Sequence, residues 1–450
     1  MADLTYGKTR IGKTSSGVFL SNGLGVFLAF ANSIFLTRAL GVTGRGEFAI
    51  FSASFGLLSL LLGFGFDTSL RYHMARGTVA KERVLSSLIL FAAIAGVLVF
   101  GAAHLNHVLF TNELFLPASK QTLRFELLLA GVVVSSLFYS GIAAVLAGDQ
   151  RFTTLNVAAV AFSAVSVLVF ASLFWLKEGA YPGIGAGEVF AAYLGLQLFN
   201  AVVLGIVAFR LLGIRWSWSI FDRDASFAML RYASLTYVAN LAQFLNYRFD
   251  TWVVQHFERS EALGLYSLAG NLAMMFWILP RSVSTVLLPA MASPKSDVSM
   301  AQGARVARLL LTLNILIAIP VVMAAPWWLP ILYGSEFSGS IWPFAILLLG
   351  CAPFALCVVQ ASVLAGIDRA DVNMKASALG LLVTIILDFM LIPKYGIDGA
   401  AVASASSYLV TTAYVTISFA RIGSLPLRAT ILPVPDDIRY LASGLKSFLR

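Results

Sequence analysis

The chain of 450 residues is dominated by long apolar stretches that contain few charged residues. Twelve of these stretches approach or exceed the roughly 20 residues that a helix needs to cross a bilayer. They lack the strict alternation of apolar and polar residues that is typical of membrane β-barrels. The sequence therefore predicts an all-α integral membrane protein with about 12 transmembrane helices, at 17–38, 47–70, 84–104, 123–147, 154–176, 188–210, 232–255, 265–289, 305–326, 341–366, 376–393 and 398–420.

The composition excludes a soluble domain and the charge orients the helices. Hydrophobic residues make up 59% of the chain and charged residues 12%, whereas soluble domains contain roughly 25% charged residues. With the N-terminus in the cytoplasm, 22 of the 31 Lys and Arg residues fall on the cytoplasmic side and 7 on the opposite side. Because short basic loops stay in the cytoplasm, both termini are predicted to be cytoplasmic. Orientation thus explains the net charge of +9 without a nucleic-acid partner.

An internal repeat divides the chain. Residues 146–151 (LAGDQR) recur as 364–369 (LAGIDR), and 46–48 (GEF) recur as 264–266 (GLY), both with an offset of 218. An even number of spans in each half makes such repeats parallel. We expect two six-helix bundles around a central cavity: an N-terminal lobe at 1–212, a cytoplasmic inter-lobe loop at 213–231, a C-terminal lobe at 232–420 and a basic cytoplasmic tail at 421–450.

Several motifs resemble those of a known family. Residues 391–401 (LIPKYGIDGAA) are similar to the LIPKYGxxGAA signature of polysaccharide repeat-unit flippases of the Wzx type, which handle O-antigen or exopolysaccharide units. This family belongs to the multidrug/oligosaccharidyl-lipid/polysaccharide exporter superfamily. Further family-like stretches occur at 37–41, 248–250, 264–267 and 333–337, so the resemblance covers nearly the whole chain.

The resemblance implies a function in surface polysaccharide or lipopolysaccharide biosynthesis. Such a flippase moves a polyprenyl-pyrophosphate-linked oligosaccharide from the inner to the outer leaflet of the cell inner (cytoplasmic) membrane by alternating access. Its implied partners are that lipid-linked oligosaccharide, membrane lipids and other polysaccharide assembly proteins. Within the superfamily, the alternatives are a peptidoglycan-precursor flippase, which has more spans, and an ion-coupled drug exporter. A further alternative is an integral-membrane glycan polymerase or ligase, which usually needs a sizeable outer loop.

Three arginines are candidate ligands for the pyrophosphate. An arginine at bilayer depth costs several kcal/mol unless it is paired or hydrated, and a guanidinium binds oxyanions through several hydrogen bonds. Arg248 lies in the seventh predicted span, where the alternative is a structural ion pair with an acid on a neighbouring helix. Arg281 follows Pro280, which should free a backbone carbonyl that a cavity-facing guanidinium can satisfy. Arg38 is the third candidate, unless it only ends the first span by snorkelling.

Other polar residues are candidates for lining the cavity or for ion coupling. Asp67 lies four residues before Arg71, which favours an intrahelical ion pair over a gate or proton-linked acid. Asp388 is a protonatable candidate, unless its position near Pro393 leaves it hydrated at the outer surface. A polar stripe at helical spacing on the seventh span comprises Gln243, Asn246, Tyr247 and Asp250.

The sequence contains no pattern typical of an enzyme. It lacks the P-loop spacing, and no nucleophile–base pair lies in a loop large enough to build an active site. We expect no cofactor, with transport coupled to H⁺, to Na⁺ or to the membrane potential. We also expect no metal site, because the four histidines are scattered near the ends of spans: His73, His104, His107 and His256.

Overall fold

A computed structural model describes residues 4–67, 70–71, 74, 81–109, 115–116, 120–179, 181, 184–212, 223–292 and 299–432. Every regular element in these ranges is helical, which confirms the all-α prediction. The helices of the N-terminal half are α1 (Leu4–Gly63), α2 (Lys81–Leu109), α3 (Leu123–Gly148), α4 (Phe152–Glu178) and α5 (Ala186–Leu212).

The C-terminal half continues with longer and more interrupted helices. They are α6 (Arg223–Met274), α7 (Ile278–Ala292), α8 (Met300–Tyr333), α9 (Ile341–Cys351), α10 (Phe354–Gly366), α11 (Ala370–Ile422) and α12 (Leu427–Ile431). Two short 3₁₀ helices, Met275–Trp277 and Ser335–Ser340, precede α7 and α9.

The number of membrane crossings follows from the lengths of these helices. Within the described ranges, nine helical stretches are long and apolar enough to cross a membrane. Three of them have 41, 53 and 53 residues, about twice the length of one crossing. Each of the three is interrupted by a residue with a non-helical backbone: Gly41, Arg259 or Gly396. Counting both sides of each interruption gives twelve crossing segments, as predicted.

One predicted span is too long. The second span was placed at 47–70, but helix α1 ends at Gly63. The backbone turns there because Phe64 (φ 42°) and Gly65 (φ 69°) both adopt positive φ angles. Two consecutive residues with positive φ cannot continue a right-handed helix.

The repeated sequence motif forms the same turn in both halves. Gln150 (φ 59°) and Asp368 (φ 61°) occupy equivalent positions in the turns at 146–151 and 364–369. In each turn the N–H of the last residue donates to the carbonyl of the first, over 2.9 Å and 2.8 Å respectively. This bond satisfies a carbonyl that the helix end would otherwise leave unpaired. The repeat is therefore a structural one.

The chain packs into two compact units, Met1–Val238 and Ala239–Arg450. In the N-terminal unit, α1 packs against α4, and α3 packs against both α2 and α5. In the C-terminal unit, α10 packs against α7, α8 and α11, while α9 packs against α11. Most of the predicted inter-lobe loop, residues 213–222, lies outside the described residues.

The first part of the predicted tail is packed onto the C-terminal unit. Helix α12 contacts α8 and α11, and Thr430 within it is fully buried. The guanidinium of Arg308 on α8 donates to the carbonyl of Ala429. Residues 433–450 of the tail lie outside the described residues.

Candidate functional site

Seven buried polar residues of the C-terminal unit form what we call the polar cluster. They come from both segments of α6 and both segments of α11, the helices that are interrupted at Arg259 and Gly396. Polar side chains inside membrane spans are costly and therefore mark functional sites by default. The members of the polar cluster are Asn246, Asp250, Tyr266, Thr384, Asp388, Ser404 and Ser407.

Asp250 is held by hydroxyl groups from two other segments. The Tyr266 hydroxyl donates to Oδ2 of Asp250 over 2.5 Å, and the Ser404 hydroxyl donates to the same oxygen over 2.9 Å. The Tyr266 and Ser404 oxygens are themselves 3.2 Å apart. These contacts offset part of the cost of burying the carboxyl group.

Asn246 extends the polar cluster along α6. Its Oδ1 accepts from the Thr384 hydroxyl over 2.8 Å and lies 2.8 Å from the Ser407 hydroxyl oxygen. Gly380 on α11 permits this close approach, because a Cβ there would lie 2.8 Å from Nδ2 of Asn246 and closer still to Oγ1 of Thr411. The absence of a side chain at residue 380 is therefore part of the site.

Asp388 differs from the rest of the polar cluster. Its side chain is 0% exposed, and neither carboxyl oxygen has a hydrogen-bond partner among the described residues. It lies within electrostatic range of Asp250. Two carboxyl groups in a dry interior repel each other unless a proton or a cation binds there. The alternative that Asp388 is hydrated at the outer surface is therefore wrong, and the protonatable alternative is the one compatible with its burial.

Arg248 borders a cavity in the same unit. The cavity is small, with about 20 Å³ of space for water-sized groups, and Asp250 and Tyr266 also line it. Arg248 and Asp250 share this lining although they are two residues apart on α6. The side chain of Arg248 is half-buried. Among the described residues, the acid that acts on it electrostatically is Asp250 on the same helix, and a structural ion pair with a neighbouring helix stays a prediction.

Arg281 does not line that cavity. It is exposed on α7, and its guanidinium carbon lies 5.2 Å from the centre of the Trp277 ring. The carbonyl that Pro280 leaves without a helical donor is that of Phe276, and it accepts from the Asn314 amide over 3.0 Å. The expectation that an arginine satisfies this carbonyl is therefore wrong, because Asn314 on α8 does so.

Arg38 belongs to the N-terminal unit. It is half-buried near the end of the first segment of α1, and its guanidinium carbon lies 5.5 Å from the centre of the Phe174 ring on α4. A cation–π contact suits both a residue that ends a span and a residue that binds an anion. Both interpretations of Arg38 stay predictions.

Asp67 is exposed and lies beyond the end of α1. Among the described residues it forms no ion pair with Arg71. The interruption at Phe64 and Gly65 lies before both residues, so it does not explain the missing pair; both side chains are exposed, where an ion pair stabilises little. The expected intrahelical pair is therefore wrong, and the role of Asp67 in gating or ion coupling stays a prediction.

The predicted polar stripe on α6 divides into two pairs. Asn246 and Asp250 enter the polar cluster. Nε2 of Gln243 instead lies 2.5 Å from the Tyr247 hydroxyl, one helical turn along. The Tyr247 ring packs against the ring of Trp277 with centroids 5.0 Å apart. Gln243 and Tyr247 thus stay outside the polar cluster, but Tyr247 lines the same cavity as Arg248 and Asp250.

Sequence reasoning missed the hydroxyl groups that complete the polar cluster. Tyr266 ends the repeated GLY motif, and residues 400–407 (AAVASASS) are a run of small residues typical of close helix packing in membranes. The repeated motif and the run of small residues are both visible in the sequence. That Tyr266 and Ser404 contact Asp250 could not be predicted, because Ser404 lies 154 residues away from Asp250 in the chain.

The expectation that the histidines are scattered is wrong for two of them. In the N-terminal unit, His104 and His107 lie against Glu126, with Nδ1–Oε distances of 2.9 Å and 2.7 Å. His256 is exposed on α6. His73 lies outside the described residues.

Known proteins resemble this chain over most of its length. Residues 11–294 match the family described as polysaccharide biosynthesis protein. A relative named probable flippase AglR from Haloferax volcanii is 22% identical over 446 residues, which cover 97% of this chain and 88% of the relative. The probable low-salt glycan biosynthesis flippase Agl15 of the same organism is 21% identical over 415 residues, covering 89% of this chain and 82% of the relative.

The fold is also found among solved structures. A structure of the lipid II flippase MurJ in an inward closed conformation superposes with a TM-score of 0.72 at 16% sequence identity. The superposition covers 92% of this chain and 88% of MurJ. At this identity the similarity establishes the fold alone.

Proposed function

The chain belongs to the family of polysaccharide biosynthesis proteins, and from this premise we propose that it is a flippase for a polyprenyl-pyrophosphate-linked oligosaccharide. It moves this lipid from the inner to the outer leaflet of the cytoplasmic membrane by alternating access. The relatives named as flippases support the proposal. The proposed partners are this lipid, the surrounding membrane lipids and other polysaccharide assembly proteins.

The observation that carries the proposal is the position of Arg248. Its guanidinium is half-buried inside a membrane span, borders a cavity and has no ion pair among the described residues. Asp250 in the same cavity acts on this cation electrostatically, and an anion from outside the protein could bind to the guanidinium directly. A pyrophosphate group offers several oxygens to the planar donors of a guanidinium.

We propose that the protein lies in the inner (cytoplasmic) membrane with both termini in the cytoplasm. The distribution of basic residues supports it, with 22 on the cytoplasmic side and 7 on the other. The lipid-linked oligosaccharide then enters from the side on which it is made.

The direct test follows a fluorescent polyprenyl-pyrophosphate oligosaccharide across reconstituted vesicles. In Arg248→Ala we expect flipping to slow by about tenfold to hundredfold, because a hydrogen-bonded charge is worth about 1.5–3 kcal/mol. Arg248→Lys should recover only part of the rate, since an ammonium group does not bind bidentately. Arg421→Ala is the matched control, because Arg421 is exposed at the end of α11.

The possible results distinguish an error in the proposed substrate from an error in the proposed binding residues. Unchanged flipping in Arg248→Ala and in Arg281→Ala would show that these arginines do not bind the pyrophosphate. If the wild-type protein flips lipid II or exports drugs but not the oligosaccharide, the alternatives within the superfamily are correct. Glycan transfer by the purified protein alone would indicate a polymerase or ligase.

We further propose that the polar cluster couples transport to a monovalent cation, either H⁺ or Na⁺. Asp250 and Asp388 provide two buried carboxyl groups, and Asn246 and Ser404 add neutral oxygens. Carboxylate, carbonyl and hydroxyl oxygens suit a hard cation. Because neither oxygen of Asp388 has a partner among the described residues, a bound proton or Na⁺ would complete the site.

Coupling is tested in the same vesicles with a pH gradient or a Na⁺ gradient imposed separately. We expect the wild-type rate to respond to one of the two gradients and Asp388→Asn to lose that response. Asp398→Asn, an exposed acid on the same helix, is the control. A full response retained by Asp388→Asn would contradict the coupling proposal and leave the flippase proposal unaffected.

A further inference from the structure

Three side chains converge where α2 ends and α3 begins, in the N-terminal unit and apart from the polar cluster. His104 and His107 lie three residues apart, on one face of α2. Glu126 lies in the first turn of α3. Nδ1 of His104 is 2.9 Å from Oε2 of Glu126, and Nδ1 of His107 is 2.7 Å from Oε1. One ligand atom from each of the three residues lies within 4.8 Å of the other two.

The burial of the three residues is unequal. The Glu126 side chain is 1% exposed, whereas those of His104 and His107 are 52% and 38% exposed. A buried carboxylate requires a positive partner. The exposed imidazole rings place that carboxylate close to the surface of the N-terminal unit, near the predicted end of a span.

The neighbouring cations are engaged with other acids. Nζ of Lys120 lies 3.5 Å from Glu47, and the guanidinium of Arg124 lies 3.7 Å from Glu188. Among the described residues, the side chains that contact the Glu126 carboxylate are those of the two histidines.

The histidine rings are oriented by their surroundings. The His104 ring stacks on the Phe100 ring, with centroids 5.7 Å apart and an angle of 10° between the planes. The His107 ring is perpendicular to it, at 90°. Both rings nevertheless direct Nδ1 towards Glu126, each to a different oxygen of the carboxylate.

We propose that His104, His107 and Glu126 form a Zn²⁺ site that clamps α2 to α3. Two imidazoles and one carboxylate are a ligand set that zinc sites use when a fourth position stays open to water. Around a tetrahedral Zn²⁺ with bonds of about 2.0–2.1 Å, neighbouring ligand atoms lie about 3.3 Å apart. The observed Nδ1–Oε contacts therefore need to open by only about 0.5 Å.

The ligand types also select the ion. Imidazole nitrogen suits Zn²⁺ and its transition-metal neighbours. Mg²⁺ and Ca²⁺ prefer sites made of oxygen atoms alone. We therefore expect Zn²⁺ to bind and to stabilise the N-terminal unit, and Mg²⁺ to do neither.

The test uses the full-length protein, purified in detergent and stripped of metal with a chelator. Titration with Zn²⁺ should show saturable binding of one ion per chain and a rise in the midpoint of thermal unfolding. His104→Gln/His107→Gln should lose both effects. His256→Gln should keep both, because His256 is exposed elsewhere on the chain.

Single variants test each ligand. His104→Gln and Glu126→Gln should each weaken Zn²⁺ binding by at least about tenfold, since they remove a direct ligand. If Glu126→Gln does not fold, His104→Gln decides, because its side chain is mostly exposed. The proposal is overturned by undiminished Zn²⁺ binding in the double histidine variant, by the absence of saturable Zn²⁺ binding in the wild-type protein, or by equal stabilisation with Mg²⁺.

Discussion

The N-terminal and C-terminal units share the same turns but differ in the chemistry of their interiors. Counting back by the repeat offset of 218, Tyr266 corresponds to Phe48, Asp250 to Asn32 and Asp388 to Phe170. Tyr266 donates to a carboxylate, whereas the Phe48 ring packs edge-on against the ring of Phe190, with centroids 5.5 Å apart. Asp388 is buried without a partner among the described residues, while Phe170 is buried in an apolar core.

This difference shows that the residues that maintain the fold are not the same as the residues that form the polar cluster. The shared turns and interruptions are set by the backbone conformation of a few residues with positive φ, whereas the other positions accept many side chains. The interiors are free to diverge as long as each fills its volume and satisfies its polar atoms. The N-terminal unit fills much of its interior with aromatic rings, and the C-terminal unit accepts the cost of several buried polar groups at the proposed cation site.

The largest expected effect concerns the aromatic interior of the N-terminal unit. Phe190 is fully buried and its ring lies 4.9 Å from that of Phe51 and 5.7 Å from that of Phe125. Phe190→Ala should lower the free energy of unfolding by about 3–5 kcal/mol, seen as a lower midpoint of thermal unfolding in detergent. Trp175→Ala, an exposed aromatic on α4, should shift the midpoint far less. Equal shifts would show that the buried rings do not stabilise this unit.

An intermediate effect is expected from exchanging the equivalent aromatic residues. Tyr266→Phe removes a donor from Asp250 and should cost about 1–3 kcal/mol, because a buried carboxyl group loses a hydrogen bond. Phe48→Tyr places a hydroxyl among aromatic rings and should also lower the unfolding midpoint. If Tyr266→Phe unfolds at the wild-type temperature, the polar cluster does not depend on this hydroxyl.

The smallest effect concerns the equivalent helix interruptions. Gly41 (φ 68°, ψ −178°) and Arg259 (φ 66°, ψ −175°) adopt the same backbone conformation, which is almost confined to glycine. Arg259 is exposed, so Arg259→Gly should relieve strain and stabilise the protein by about 1 kcal/mol. Gly41→Ala should destabilise it. An unfolding midpoint that falls in Arg259→Gly would show that the arginine side chain contributes more than the strain costs.

Much of the fold could be predicted because its determinants are local. The length of each apolar stretch predicts a membrane crossing. The repeated motif predicts equivalent turns in the two halves, at Gln150 and at Asp368. The end of the second span was missed because a positive φ at Phe64 is unusual for a bulky residue. Nothing in an apolar run indicates such a turn.

The candidate site was only partly predictable. Arg248, Asp250 and Asp388 could be singled out because charged residues are rare within membrane spans. The role of Asn314, which satisfies the carbonyl freed by Pro280, could not be predicted, since it lies 38 residues beyond that carbonyl on another helix. The meeting of His104 and His107 with Glu126 was hidden for the same reason.

The amino-acid sequence alone predicts twelve membrane-crossing helices and two repeated halves. These properties depend on hydrophobicity and spacing, which act along the chain. Which polar side chains contact one another depends instead on how the helices pack. Tyr266, Ser404 and Asp250 come from three separate segments, and side-chain contacts between segments depend on how the helices pack rather than on any local pattern.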